Sequence, residues 1–362
     1  MALEKNVLRM NAGDGESSYA KNSRFQKASL LRSSKLLEDS TNEYGINAFP
    51  QCFSLADLGC SSGPNSLLAV TTIIANVRAL CREKDIPAPE FQVFLNDLPD
   101  NDFNTIFKTL KPSYSSSPVN GKGDALGDDC FVAGVPGSFY TRLFPSRSLH
   151  FVHSSNSVHW LSQVPVNLEK NGENIFIAKA SPPGICEAYS DQYTRDFSTF
   201  LRLRSHEITT NGRMVLTFQG RSSADPSDSS CCILYEMLAK SLQDMSKQGF
   251  ISAADICSFN IPFYSPTTDE VKAIIETEGS FHIEELQSYK NDIEIQATNR
   301  DTLCRIMAKQ IRAINEPMLI AHFGNTFMDE LFEQYAKELN EHLSKERIEH
   351  LDIVISLTRK SD

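Results

Sequence analysis

The chain has 362 residues, 41% of them hydrophobic and 22% charged, with a formal net charge of −11. That composition supplies a sizeable core, and no run of Lys/Arg exceeds two residues, which excludes nucleic acid or an anionic membrane as a partner held by clustered cations. An anionic small ligand stays compatible, because one pocket can differ in charge from the whole. Nine scattered cysteines include no CxxC pair and no Cys/His quartet at zinc spacing, so they read as reduced thiols inside a cell. "MALEKNVLRM" has no signal-like apolar core and no apolar run reaches membrane-spanning length, so a cytoplasmic protein with no membrane segment is expected.

Taken in chain order, "MNAGDGESSYAKNSRFQ" from Met10 lacks the apolar spacing of a core helix before Phe25 and reads as a loop that covers something. Strand-like runs follow at "FSLADLG", "FQVFLNDL", "CFVAGVPG", "LHFVHSS", "IFIAKA", "RMVLTFQG" and "LDIVISLTR". Between them "SLLAVTTIIANVRALCRE", "QYTRDFSTFLRLRSHEI", "CCILYEMLAKSLQDMSKQ" and "TTDEVKAIIETEG" have helical spacing. Strands alternating with helices predict an α/β fold with βαβ crossovers and a mostly parallel sheet covered on both faces. "KPSYSSSPVNGKGDALGDD" reads as a surface loop without chemistry. After "FNIPFYSP" the pattern turns helical, with "RDTLCRIMAKQIRAIN" and "GNTFMDELFEQYAKELNEHLSKE", which predicts a cap over a pocket.

"LADLGCSSGPN" carries the most information. A strand ends at Asp57, a turn from Gly59 to Gly63 follows, and a long amphipathic helix starts soon after. Glycine lets backbone approach a ligand, and a helix N-terminus presents free N–H groups. The spacing is GxxxG rather than GxGxxG, and the next strand-end acid, Asp97 in "FLNDLP", lies farther on than a dinucleotide site places it. Two strand-end acids and a glycine turn suit an adenosine cofactor without pyrophosphate, such as S-adenosylmethionine. The alternative is that Asp57 and Asp97 merely cap their own turns.

The chain resembles the plant SABATH methyltransferases, which include salicylate, benzoate and jasmonate carboxyl methyltransferases and caffeine-pathway N-methyltransferases. The resemblance runs nearly end to end through "MNAGDGESSYAKNS", "ADLGCSSGPNS", "FLNDLPDNDFN", "GVPGSFYTRLFP", "LHFVHSSNSVHWLSQVP", "GRMVLTF", "SFNIPFYSPT", "EGSF" and "EPMLIAHFG". It implies one methyltransferase unit over 1–362: a lid over about 1–50, a Rossmann-like core with insertions over 51–260, a mainly helical cap over 261–345 and a strand over 346–362 returning to the sheet. It further implies that Tyr19, Ser23, Asp57, Cys60, Asn65, Asp97, Leu98, Ser138 and Phe139 contact S-adenosylmethionine. Gln26 and Trp160 match positions that grip the methyl acceptor, with Asn156 and His159 in the same pocket and Tyr235 on its wall. A magnesium ion, by the same resemblance, would sit at Asn171, Phe259 and Asn260. Cys257 replaces the usual acid there, and Mg²⁺ prefers hard oxygen ligands. A homodimer is a further implication.

No general base is needed for a carboxylic acid, which is already an anion at pH 7. Gln26 and Trp160 can hold it by N–H groups, and His159 reads as neutral. Asn156 stands where many relatives carry tyrosine, and Tyr235 where salicylate-type members often carry tryptophan, so the pocket wall differs. A small plant acid of salicylate, benzoate, nicotinate or jasmonate type is the expected acceptor. Xanthine N-methylation is the alternative: a ring N–H is less acidic, and His159 or Asn156 would have to help remove its proton. A non-catalytic binding protein of the same fold is the third reading; a missing cofactor acid would be its mark, and both are present.

Overall fold

The computed structural model describes residues 8–45, 49–115, 126–292 and 299–361. The N-terminal segment runs into three helices, α1 (Tyr19–Asn22), α2 (Arg24–Arg32) and α3 (Ser34–Tyr44). An alternating series follows: β1 (Cys52–Leu58), α4 (Asn65–Glu83), β2 (Glu90–Asp97), α5 (Phe103–Ser115), β3 (Cys130–Pro136), β4 (Leu149–Ser155), α6 (Pro183–Glu207) and β5 (Ile208–Gly220). The chain continues through α7 (Ser229–Lys247), α8 (Ala253–Ser258), α9 (Thr268–Glu278), β6 (Phe281–Asp292), α10 (Arg300–Phe323), α11 (Met328–Leu343) and β7 (Glu349–Arg359).

The strands form one sheet in the order β3-β2-β1-β4-β5-β7-β6. The first five pair in parallel, and β7 is antiparallel to both β5 and β6. Strand order reverses between β1 and β4, which opens a crevice at their carboxyl ends, the usual place for a ligand in such sheets. Burial on both faces explains the near-continuous apolar runs: in β1, Phe53 and Leu55 enter one apolar cluster and Ala56 and Leu58 the other. Helix α4 turns Ala69, Val70, Ile73, Ile74 and Val77 inward at three- and four-residue spacing. Helix α9 has a capping box, in which Thr267 and Glu270 bond each other's backbone N–H, and ends at Gly279 with φ of 85°. Among the described residues no helix is long and apolar enough to cross a membrane.

Three sequence expectations need correction. The N-terminal stretch is not loop throughout, since helix α1 begins at Tyr19 and Gln26 lies on α2. "IFIAKA" is no strand: Ile175–Ala178 is buried irregular chain, tied down by the Asn171 amide to the Phe176 carbonyl (3.0 Å) and by Ile261 N–H to the Ile175 carbonyl (2.8 Å). An edge strand unseen in the sequence, β6, joins the sheet from within the stretch expected to be mainly helical. Most of the Ser/Gly-rich loop, 116–125, lies outside the described residues.

Candidate active site

The crevice is built first by the turn after β1. Gly59 sits at φ of 77°, and its N–H and that of Cys60 both donate to the Asn96 carbonyl at 2.9 Å. A Cβ on Gly59 would lie 2.1 Å from Ser157 Oγ, so both the backbone conformation and the space require glycine. The turn places Ser61 N–H 2.7 Å from Asp97 Oδ2, while Leu98 N–H donates to Asp97 Oδ1 at 2.7 Å. Asp57, at the end of β1, faces His153 across the β1–β4 pairing, Oδ1 to Nδ1 at 2.7 Å, with both side chains buried.

These acids dominate the local electrostatics. Burial pushes the Asp97 carboxyl up to about 6 against the pull of its two backbone N–H bonds, and Asp57 adds to the rise. The Tyr19 hydroxyl and Cys60 thiol are raised by burial, then by Asp97 and Asp57, so both stay protonated. Tyr19, Asp57, Cys60 and Asn65 line a cavity of about 380 Å³ together with Ser61, Ser66, His153 and Ser155. Ser23 braces it from behind, its Oγ and carbonyl accepting from the Asn65 amide at 3.1 and 3.2 Å.

Asp97, Leu98, Ser138 and Phe139, also of the expected cofactor set, are not among the described residues that line this cavity and lie beside its turn. Leu98 follows Asp97, and Ser138 and Phe139 lie in the loop after β3, which Gly137 N–H ties to the Asp97 carbonyl at 2.8 Å. The Phe139 ring comes within 3.7 Å of the place a Gly59 Cβ would take. Behind this loop stands a fully buried pair, Arg204 and Glu207, with Nε and Oε2 2.8 Å apart. Arg204 donates to the Phe139 and Thr141 carbonyls at 3.0 and 2.9 Å, and Glu207 Oε1 accepts from Leu143 N–H at 2.7 Å and Phe144 N–H at 3.2 Å.

A second cavity, about 870 Å³ and open to solvent, adjoins the first; Tyr19, Gln26 and Asn156 line both. Asn156 holds φ of 56°, a left-handed conformation that asparagine tolerates better than most residues, and its N–H donates to Thr217 O at 2.7 Å. His159 is buried and burial lowers its imidazole to about 3; its Nδ1 accepts from Gln219 N–H at 3.0 Å, which leaves the proton on Nε2. Half-buried Trp160 bridges to Phe263, packs edge-on against that ring at 5.3 Å, and accepts the Tyr140 hydroxyl on its carbonyl at 2.6 Å. Tyr235 stands edge-on to Phe263 and Phe176. The structure thus brings Gln26, Asn156, His159, Trp160 and Tyr235 to one wall system.

Among the residues of the second cavity that sequence reasoning missed are Phe25, Gln219, Phe263, Met307, Gln310 and His350. For Gln219 and His350 a signal existed: each is a polar residue at the crevice end of a strand whose interior is apolar. Among the described residues no Lys or Arg lines either cavity. The Asp57 carboxylate, with no Lys or Arg among the described residues lining its cavity, suits a ligand with a positive charge or hydroxyl groups, and the buried, unpartnered hydroxyls of Ser61 and Ser62 and carboxamide oxygen of Gln26 suit a polar one.

The residues of the expected magnesium site offer one unpartnered hard donor, the buried Oδ1 of Asn260, and no carboxylate among them. Both ends of the Asn171 amide are engaged, Nδ2 with the Asn174 and Phe176 carbonyls and Oδ1 with the Ser181 hydroxyl at 2.7 Å. Asn260, Phe259 and the exposed thiol of Cys257 contribute no carboxylate. Asn171 is a folding device for the Ile175–Ala178 segment.

A switch-point crevice with acids at its strand ends and no Lys or Arg among the described lining residues fits an S-adenosylmethionine-dependent methyltransferase, the class that the comparisons show. The solved structure of loganic acid methyltransferase with SAH matches this chain with a TM-score of 0.86 at 33% identity, over 98% of this chain and 99% of that one. Residues 5–360 match the model of the family described as SAM dependent carboxyl methyltransferase, and the chain belongs to that family, the SABATH enzymes. A probable jasmonic acid carboxyl methyltransferase 2 of Theobroma cacao is 43% identical over 98% of each chain. The salicylate/benzoate carboxyl methyltransferase of Arabidopsis thaliana is 44% identical over 98% of this chain and 93% of its own.

Proposed function

We propose that this enzyme esterifies the carboxylate of a small acid of jasmonate, salicylate or benzoate type, with Gln26 and Trp160 holding the carboxylate. The observation that carries this reading is the position of Gln26. It lines both cavities, and its buried Oε1 has no partner among the described residues. A carboxamide turned by half a revolution presents N–H at the same place, so Gln26 can meet a carboxylate at the boundary between the two ligands. Trp160, across the second cavity, brings an indole N–H and an aromatic wall.

Tyr19, Asp57, Cys60 and Asn65 line the first cavity, with Asp97 bonded to the Ser61 N–H of its turn and Ser23 to the Asn65 amide, and would hold S-adenosylmethionine there. When bound, that cofactor supplies a methyl group already activated by its sulfonium. The chain's task is then orientation, which in favourable cases is worth on the order of 7 kcal/mol or more of barrier. Two neutral N–H donors steady a carboxylate without quenching it, whereas an arginine would stabilise the ground state and add little to the rate. Phe25, Phe263 and Trp160 give the acceptor an apolar, aromatic wall.

The state of His159 separates this reading from N-methylation of a xanthine. An imidazole held near 3, with Nδ1 already accepting a backbone N–H, is a poor proton acceptor, and Asn156 has no basic atom. An acceptor that is already an anion needs neither. Transfer of a labelled methyl group to salicylate, benzoate and jasmonate, against xanthine and theobromine, tests the reading; turnover of xanthines alone overturns it.

A further inference from the structure

The acceptor cavity holds a polar group that the carboxylate clamp does not use. On β7, His350 and Asp352 share a sheet face, two residues apart. His350 Nε2 lies 3.1 Å from Asp352 Oδ1, and the Asp352 side chain is 1% exposed against 17% for His350. The other oxygen, Asp352 Oδ2, accepts the hydroxyl of Ser29, which sits on α2 one turn after Gln26. Asp352 therefore fixes the imidazole ring and keeps a proton on Nε2. The ring lines the second cavity, and its Nδ1 has no hydrogen-bond partner among the described residues. An imidazole with one N–H committed to a carboxylate offers its other nitrogen as an acceptor.

We propose that His350 is a specificity residue: its Nδ1, held in place by Asp352, accepts a hydrogen bond from an O–H or N–H group that the methyl acceptor carries besides its carboxylate. This rests on the reading of the second cavity as the acceptor site. A second observation points the same way. Gln310 on α10 lines the same cavity, and its Oε1 is buried without a protein partner. Between these polar groups the lining is apolar, with Phe25, Leu234, Phe263, Met307 and Ile311. The substrate class defined is an acid with an apolar or aromatic body and at least one hydroxyl or N–H group. A purely hydrocarbon acid would leave the imidazole and the Gln310 oxygen unsatisfied, the situation in which enzymes discriminate most strongly.

The test uses the full chain saturated with S-adenosylhomocysteine and measures, by calorimetry, binding of acids that differ by one hydroxyl: benzoate against ortho-, meta- and para-hydroxybenzoate, and cinnamate against its ring-hydroxylated analogues. Turnover with labelled S-adenosylmethionine runs on the same pairs. The wild type is expected to prefer one hydroxylated member of a pair, and His350→Phe to lower that preference about tenfold, the worth of one hydrogen bond. His350→Asn, which restores an acceptor atom near the place of Nδ1, is expected to recover much of it. Asp352→Asn, which loosens the ring, is expected to lower the preference through KM rather than kcat. Unchanged affinity for S-adenosylhomocysteine shows that the variants are folded. A preference that survives His350→Phe overturns the proposal, as does a wild type with no preference in any pair or one that takes none of these acids. Gln26→Ala in the same series separates the two readings: if it leaves acid binding unchanged the clamp fails, whatever the His350 ratio shows.

Discussion

Replacing Glu207 by glutamine tests how the fold reaches the site. The substitution keeps size and removes one charge from a pair whose members are both fully buried. Arg204 would keep its charge, which burial already disfavours, with no anion beside it. The new amide would also lose acceptor capacity toward Leu143 and Phe144 N–H, so a buried donor is left poorly paired. Breaking one side of a buried ion pair costs about 3–5 kcal/mol. A chain of this length unfolds with an entropy of about 0.8 kcal/mol per kelvin, so Tm should fall by about 4–6 °C. The same pair anchors the carbonyls of Phe139 and Thr141, so the loop carrying Ser138 and Phe139 loosens and affinity for S-adenosylhomocysteine falls with it. Scanning calorimetry with and without that ligand reads both effects. A Tm within 1 °C of wild type, or a lowered Tm with unchanged ligand affinity, would refute the link between the buried pair and the loop.

Gly59→Ala should abolish tight S-adenosylhomocysteine binding and destabilise the fold by at least about 2 kcal/mol, because the new methyl meets Ser157 at a left-handed backbone; Gly15→Ala, with open space around it, should change stability by less than about 0.5 kcal/mol in the same urea titration. Asp97 makes the unliganded protein's stability depend on pH. Its carboxyl holds a proton up to about 6 when folded and gives it up nearer 3.8 when unfolded. The native state therefore binds more protons between these values, and stability falls as pH rises from about 4 to 6, then levels off. Asp97 is half-buried, which trims the step to about 1–3 kcal/mol, and urea unfolding at several pH values should show it in the wild type and not in Asp97→Asn.

The parallel half of the sheet and its crevice were legible because β1, β2 and β4 are buried on both faces and announce themselves as apolar runs ending in polar residues. The glycine turn was legible for the same reason that Gly59 is needed: backbone crowding and a positive φ leave a mark in residue type. Strand β6 was not, since it lies at the sheet edge, exposes much of its length, and shifts register between Ile283 and Glu285, which breaks the two-residue alternation. "IFIAKA" misled because burial alone was visible; the partners of its backbone come from the Asn171 side chain and residue 261, which no local pattern reveals. The acceptor cavity draws on α1, α2, β5, α7, α10 and the start of β7, so residues such as Met307 and Gln310 had no common local signal. The inertness of His159 as a base depends on the Gln219 N–H and on burial, both products of the tertiary fold.

The most direct measurement is radiolabelled methyl transfer by wild type and Gln26→Ala to salicylate, benzoate and jasmonate beside xanthine and theobromine. The account predicts methyl ester formation on an acid, no turnover of the xanthines, and a kcat/KM for the acid lowered about 10- to 100-fold in the variant, the value of a hydrogen bond to a charged group. Methylation of a xanthine nitrogen with no ester from any acid, or an ester formed equally fast without the Gln26 amide, would contradict it.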